Sequence, residues 1–170
     1  MAVVSFAVDD VISGLVTALQ AATGFRAPTE AGTDVPVYDG PVYGDGSNFS
    51  FVCIGADGSD NPQQRPARFT SDWHDMDLTT AEEGVVQCAV VVWAGDANPD
   101  TAADQRGTAV GILQDVDEAI RASNTAMALG VTTLLWSKID AGEIFQEVNE
   151  NGTETRITFT YSYRANLQVT

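Results

Sequence analysis

Apolar side chains recur along the chain with two different periods, and the switches between them mark out its elements. Between residues 8 and 22, Val11, Ile12, Leu15 and Leu19 keep helical spacing, and Gly24 follows as a stop. A linker rich in Thr, Glu and Gly leads to a short extended piece at 35–38, closed by the turn residues Asp39, Gly40 and Pro41. Residues 48–54 form a β-prone run. The stretch GADGSDNPQQRP at 55–66 holds two Gly, two Pro and few apolar anchors, which predicts a long, mobile polar loop. Loops of that length are uncommon unless they do something. An irregular strand carrying Trp73 is expected at 68–75.

Residues 84–95 read as the clearest buried strand, because VVQCAVVVWA is apolar almost throughout and suits a central strand covered on both faces. Asn98 and Pro99 then announce a second helix, Asn as an N-cap and Pro at the first helical position. Asp100 and Asp104 suit the positive end of its dipole and Arg121 the negative end. Its expected apolar stripe is Ala102, Ala109, Leu113, Val116 and Ile120, with Asp117 and Arg121 as an i,i+4 pair on the other side. Gly107 and Gly111 interrupt this helix at roughly 1 kcal/mol each relative to Ala. Close packing against a neighbouring element is the expected reason, as for Ser13, Gly14, Thr17 and Ala18 in the first helix.

The C-terminal third, at about 143–167, reads as a β-hairpin turning at Asn149-Glu150-Asn151-Gly152. Beyond the turn, Ile157, Phe159, Tyr161, Tyr163 and Ala165 alternate with Arg156, Thr158, Thr160, Ser162 and Arg164, which buries one face and leaves the other polar. The order helix, strands, helix, strands predicts an α+β fold: a single domain over 1–170, with a mixed, mostly antiparallel sheet flanked by two helices. A chain of 170 residues fits one domain and buries roughly 70% of its unfolded surface, so no disulfide or metal is needed to hold a core.

Charge narrows the function classes. There are 24 acids against 8 bases, a net charge of −16, and the bases are scattered singly. Phosphate contacts need clustered Lys and Arg, so nucleic-acid binding is disfavoured. The same acidity suits a wall that duplex DNA slides past, and equally suits a bias of composition. No run approaches the ~20 apolar residues that span a bilayer. The start, MAVVSFAVDD, has no basic region and meets an acid after eight residues, so no signal peptide and a cytoplasmic site of synthesis are expected.

Candidate chemistry is thin. Cys53 and Cys88 sit in apolar runs and are expected to be buried free thiols. With His74, in SDWHDMD, either could be written as a thiol hydrolase. Asp96, Asn98 and Asp100 match the start of a calcium loop, but Thr101 and Gly107 stand where Gly and Glu are required. Asp57, Asp60 and Asn61 offer oxygen ligands in a solvated loop. Trp73, Trp93 and Trp136 raise a carbohydrate-binding reading, although Trp93 and Trp136 lie in apolar runs that favour core packing. The expectation is no enzyme, no catalytic residue, no metal and no cofactor.

Several segments resemble those of tail terminator proteins of long-tailed, siphovirus-type bacteriophages infecting actinobacteria. They are DDVISGLVTALQAATG, VPVYDGP, FVCIGADG, CAVVVWAGDAN and RITFTYSYRANL, which in order cover most of the chain from about residue 9 to 167. The resemblance implies a small α/β fold assembled as a hexameric ring that stops polymerisation of the tail tube and meets the capsid neck. Implied partners are further copies of the chain, the tail tube protein and a neck or head–tail connector protein. DNA would be passing cargo, the place the virion tail, and no membrane is involved. A neck or head-completion protein of the same particle is the nearest alternative. Sheet edges and the long loop would make the subunit contacts, with Arg65, Arg68 and Trp73 as candidate anchors, since Arg and Trp are enriched at interface hot spots.

Overall fold

The computed structural model describes residues 6–42, 50–59, 61, 63–73, 79–95, 99–126, 134–149 and 152–168. Along the chain these form α1 (Ala7–Gln20), β1 (Phe25–Arg26), β2 (Val35–Asp39), β3 (Ser50–Ile54), β4 (Ala67–Trp73), β5 (Thr79–Ala94), α2 (Pro99–Ala126), β6 (Leu134–Asn149) and β7 (Gly152–Gln168). The strands make one sheet in the order β1-β2-β3-β5-β7-β6, with β4 paired to β5 off that path. The β1–β2 and β2–β3 pairs are parallel and the others antiparallel, so the fold is α+β with a mixed, mostly antiparallel, open sheet.

β5 organises the sheet. One of its sides is paired with β7 from Thr79 opposite Gln168 to Ala94 opposite Thr153. Its other side carries two partners end to end: β3 along the second half, Ile54 opposite Cys88, and β4 along the first, Ala67 opposite Val86. Gln87 is the junction, accepting the Gly55 N–H at 2.8 Å and donating its own N–H to the Pro66 carbonyl at 3.0 Å. The 55–66 loop is therefore a detour out of an otherwise continuous line of strand, with both feet on one residue.

Strand alternation sorts the sheet into two faces. Val86, Cys88, Val90 and Val92 of β5 and Ile157, Phe159, Tyr161, Tyr163 and Ala165 of β7 meet Val11, Leu15 and Leu19 of α1 and Ala109, Val116 and Ile120 of α2 in one buried core. Both helices thus cover the same face. On the opposite face the loop lies over β5. Gly58 sits there at φ +69, where an added Cβ would lie 2.8 Å from Val91 and 3.0 Å from Ala89. Ala89 and Val91 are buried. The central strand is covered on both sides, by helices on one and a loop on the other.

α1 begins without a side-chain cap at Phe6. The Ala7 N–H donates instead to Glu82 Oε2 at 3.1 Å, while Glu82 Oε1 accepts the Tyr163 hydroxyl at 2.7 Å. Glu82 is fully buried on the core face of β5. Tyr163 reaches it by lying across Gly84, where any Cβ would run into the tyrosine ring.

Four expectations need correction. β5 begins at Thr79, not near 84, because its first turn of strand is polar and Glu82 is satisfied from within. β6 begins at Leu134 rather than at about 143, and Trp136 is exposed rather than packed in the core. α2 runs on to Ala126, which leaves Arg121 short of the last turn, although its pair with Asp117 forms at 2.7 Å. Nothing lies within 4 Å of a Cβ built on Gly107 or Gly111, so close packing does not explain them. Within the described part of the 55–66 loop, the Ser59 N–H donates to Asp57 Oδ1 at 2.8 Å, and the Gln64 amide donates to the Asn61 carbonyl at 2.8 Å. Among the elements, the two-residue β1 has no sequence signal at all.

Candidate interaction surface

The three residues singled out as contact anchors fall on or beside one strand. Arg65 closes the long loop, and Arg68 follows on β4 opposite Val85, so it points to the helix-free face. Both are exposed. Trp73 ends the same strand, its backbone paired with Thr80. Arg65 and Arg68 share a groove of about 480 Å³ with Ala67, Phe69, Val85 and Gln87. Phe69 is exposed and its ring lies 5.1 Å from that of Phe6, which brings the residue before α1 onto the same rim.

Across the helix-free face, two rungs link β4 to β6: Arg68, Val85, Ser162, Lys138 and Thr70, Glu83, Arg164, Trp136. Their charges pair locally, Arg164 with Glu83 at 3.4 Å and Lys138 with Asp140 at 3.0 Å. The Lys138 ammonium holds the Asp140 carboxyl below its ordinary range by hydrogen bond and charge. Further along, the Arg156 guanidinium lies over the Phe145 ring at 5.3 Å. A second groove of about 350 Å³ runs between the loop and β6, lined by Arg65, Gln87, Glu143, Phe145 and Arg156 among others.

β6 is the feature that sequence reasoning missed as a surface. Among the described residues seven large apolar residues are exposed, and five of them, Leu135, Trp136, Ile144, Phe145 and Val148, belong to this one strand. Among the described residues no strand pairs with its outer side. A signal existed in the LLW and EIFQEV runs, but apolar runs of that length read equally well as core.

The chemical candidates do not assemble. Burial pushes the thiols of Cys53 and Cys88 up to about 12, so neither is a thiolate near neutral pH. Cys53 pairs with Ala89 and Cys88 with Ile54, which sends the two sulfurs to opposite faces of the sheet. His74, Asp96 and Asn98 lie outside the described residues, and so does Asp60. Asp57 is occupied within its own loop. Burial raises its pKa, but the Ser59 hydroxyl and amide, Gln64 and the charge of Arg156 outweigh that and hold it below 3.8. Among the described residues no group of His, Cys, Asp or Glu is arranged to hold a metal ion. No helix among them is long and apolar enough to cross a membrane.

Compared with known proteins, the chain matches no family model, and no curated protein matches it.

Proposed function

We propose that this chain is a structural virion protein, a tail terminator that caps the tail tube as a ring and joins it to the capsid neck. The observation that carries the reading is the placement of exposed apolar surface. It is gathered on the rims of an open sheet, on β6 and beside β4, rather than around a pocket of reactive groups. Long apolar edges are normally guarded or covered in a monomer, so rims of this kind suit a subunit that meets further copies. The segments that resemble those of tail terminators of siphovirus-type phages support naming the assembly as a tail terminator ring.

Charge is consistent with DNA as cargo. The two helices carry seven acids against Arg106 and Arg121, a surface to which a polyanion does not adhere. Light scattering on the purified chain, alone and with tube protein, tests the ring. A monomer under all conditions sinks it. Electron microscopy of particles made without this gene separates the terminator from its nearest rival: overlong or headless tails mark a terminator, and leaking heads a neck protein. The thiol-hydrolase alternative predicts a reactive native cysteine. The buried geometry predicts the reverse, with alkylation of Cys53 and Cys88 only after denaturation.

A further inference from the structure

Among the described residues the sheet has open edges at β1, β4 and β6. The polypeptide itself leads to β4. Phe6 enters α1 in extended backbone, at φ −71 and ψ 142. Its ring lies 5.1 Å from that of Phe69 on β4, and both rings are exposed. The next residue, Ala7, is tied by its N–H to Glu82, which stands opposite Ser71 of the same strand. The chain before Phe6 is thus delivered beside β4, and it reads Met-Ala-Val-Val-Ser. We infer that residues 1–5 pair with the open side of β4 in their own copy and close that edge.

Backbone polarity, length and sequence agree with this pairing. The Gln87 N–H donates to the Pro66 carbonyl, so by alternation Arg68 and Thr70 turn their backbone groups toward β5, while Phe69 and Ser71 turn theirs outward. Among the described residues no strand takes those outward groups. β4 ends shortly before Phe69 on one side but continues to Trp73 on the other, so the longer stretch runs toward Trp73. Residues 1–5 follow that stretch antiparallel to β4, with Val4 opposite Ser71 and Ala2 opposite Trp73. Val3 and Val4 are β-branched and favour a strand. Val4 falls on the helix side, where it covers the exposed Phe6–Phe69 pair.

Tethering selects the same copy. A segment joined at Phe6 meets its own β4 at an effective concentration on the order of millimolar, without the cost of association. Closing β4 also meets the general need to guard an unpaired strand edge. β1 offers another chain only two residues. β6, which carries most of the exposed apolar side chains, is then the long edge left for contact between copies, a consequence that rests on the ring reading above.

Hydrogen exchange at the Ser71 amide, followed by NMR in the full chain, is the test, with the Val90 amide in the middle of β5 as the reference for an intact fold. Two versions are compared with the natural chain: one lacking residues 1–5, and one carrying Val3→Pro with Val4→Pro, which removes backbone donors and blocks strand pairing. Ser71 should exchange slowly in the natural chain and roughly a hundredfold faster in both versions, with Val90 unchanged. A Ser71 amide that exchanges freely in the natural chain, or stays protected in both versions, overturns the proposal. Protection that disappears on dilution also overturns it and gives the edge to another copy. If Ser71 behaves as expected while sedimentation shows the natural chain monomeric at every concentration, the ring reading fails and the closure of β4 stands.

Discussion

A carboxylate in a dry core is costly unless its oxygens are occupied, and Glu82 has both of them filled. One oxygen caps α1 through Ala7, the other takes the Tyr163 hydroxyl, and the tyrosine is pushed far above its ordinary pKa by burial and by Glu82 itself. The group therefore stitches helix, β5 and β7 together at a point that would otherwise leave an uncapped helix end. Glu82→Ala should cost about 2–3 kcal/mol, since it strands a buried hydroxyl and removes a charge-assisted bond. Tyr163→Phe should cost about 1–3 kcal/mol by leaving one carboxylate oxygen short of its donor. In urea melts the double variant should lose less than the sum, with a coupling of roughly 0.5–3 kcal/mol. Strictly additive losses would show that the two side chains act separately. The alternation at 156–165 made Ile157, Phe159, Tyr161, Tyr163 and Ala165 legible as core, and all five are buried. Glu82 faces the same core and was not legible, because a charged residue reads as exposed until its partner, 81 positions away, is known.

Periodicity made α1, α2 and β7 readable and an almost unbroken apolar run made β5 readable, while the elements that failed had neither. β1 is too short to have one, and the first half of β6 is broken by two irregularities that scramble its alternation. The long loop was legible as a loop but not as a packed one, since its order comes from local side-chain bonds and from the missing side chain of Gly58. Asp57 anchors that order. Its folded pKa is depressed, so its contribution is fully present above 3.8 and is lost as pH falls through the lower folded value. The Ser59 amide resonance should shift with a midpoint below 3.8, and Asp57→Ala should speed cleavage of the loop by subtilisin several-fold at neutral pH. An unchanged cleavage rate would mean the loop is held elsewhere. α2 invites the opposite experiment. Gly107 and Gly111 have open space where a Cβ would go, so replacing each with Ala should stabilise the fold by up to about 1 kcal/mol. A loss instead would reveal a neighbour at those positions that a single copy does not have, and in an assembled ring that loss would appear only in the oligomer.

On the scale of the whole molecule, a net charge of −16 acts on folding and on assembly at once. The ion pairs Arg121–Asp117, Lys138–Asp140 and Arg164–Glu83 are exposed and each is worth little. Repulsion among the remaining acids is spread over the entire surface, and it is this term that salt screens most, the Debye length falling from about 30 Å at 0.01 M to about 3 Å at 1 M. Raising salt over that range should therefore lift the melting temperature, by roughly 2–4 °C for each kcal/mol of repulsion removed. The same screening should favour association, because copies that share this charge repel one another before their edges meet. Assembly should therefore rise with salt together with the melting temperature of the separated subunit. A melting temperature that falls with salt would mean that the exposed ion pairs, and not the diffuse acidity, govern this surface, and the acidic helical layer would lose its claim to be a wall that DNA passes without adhering.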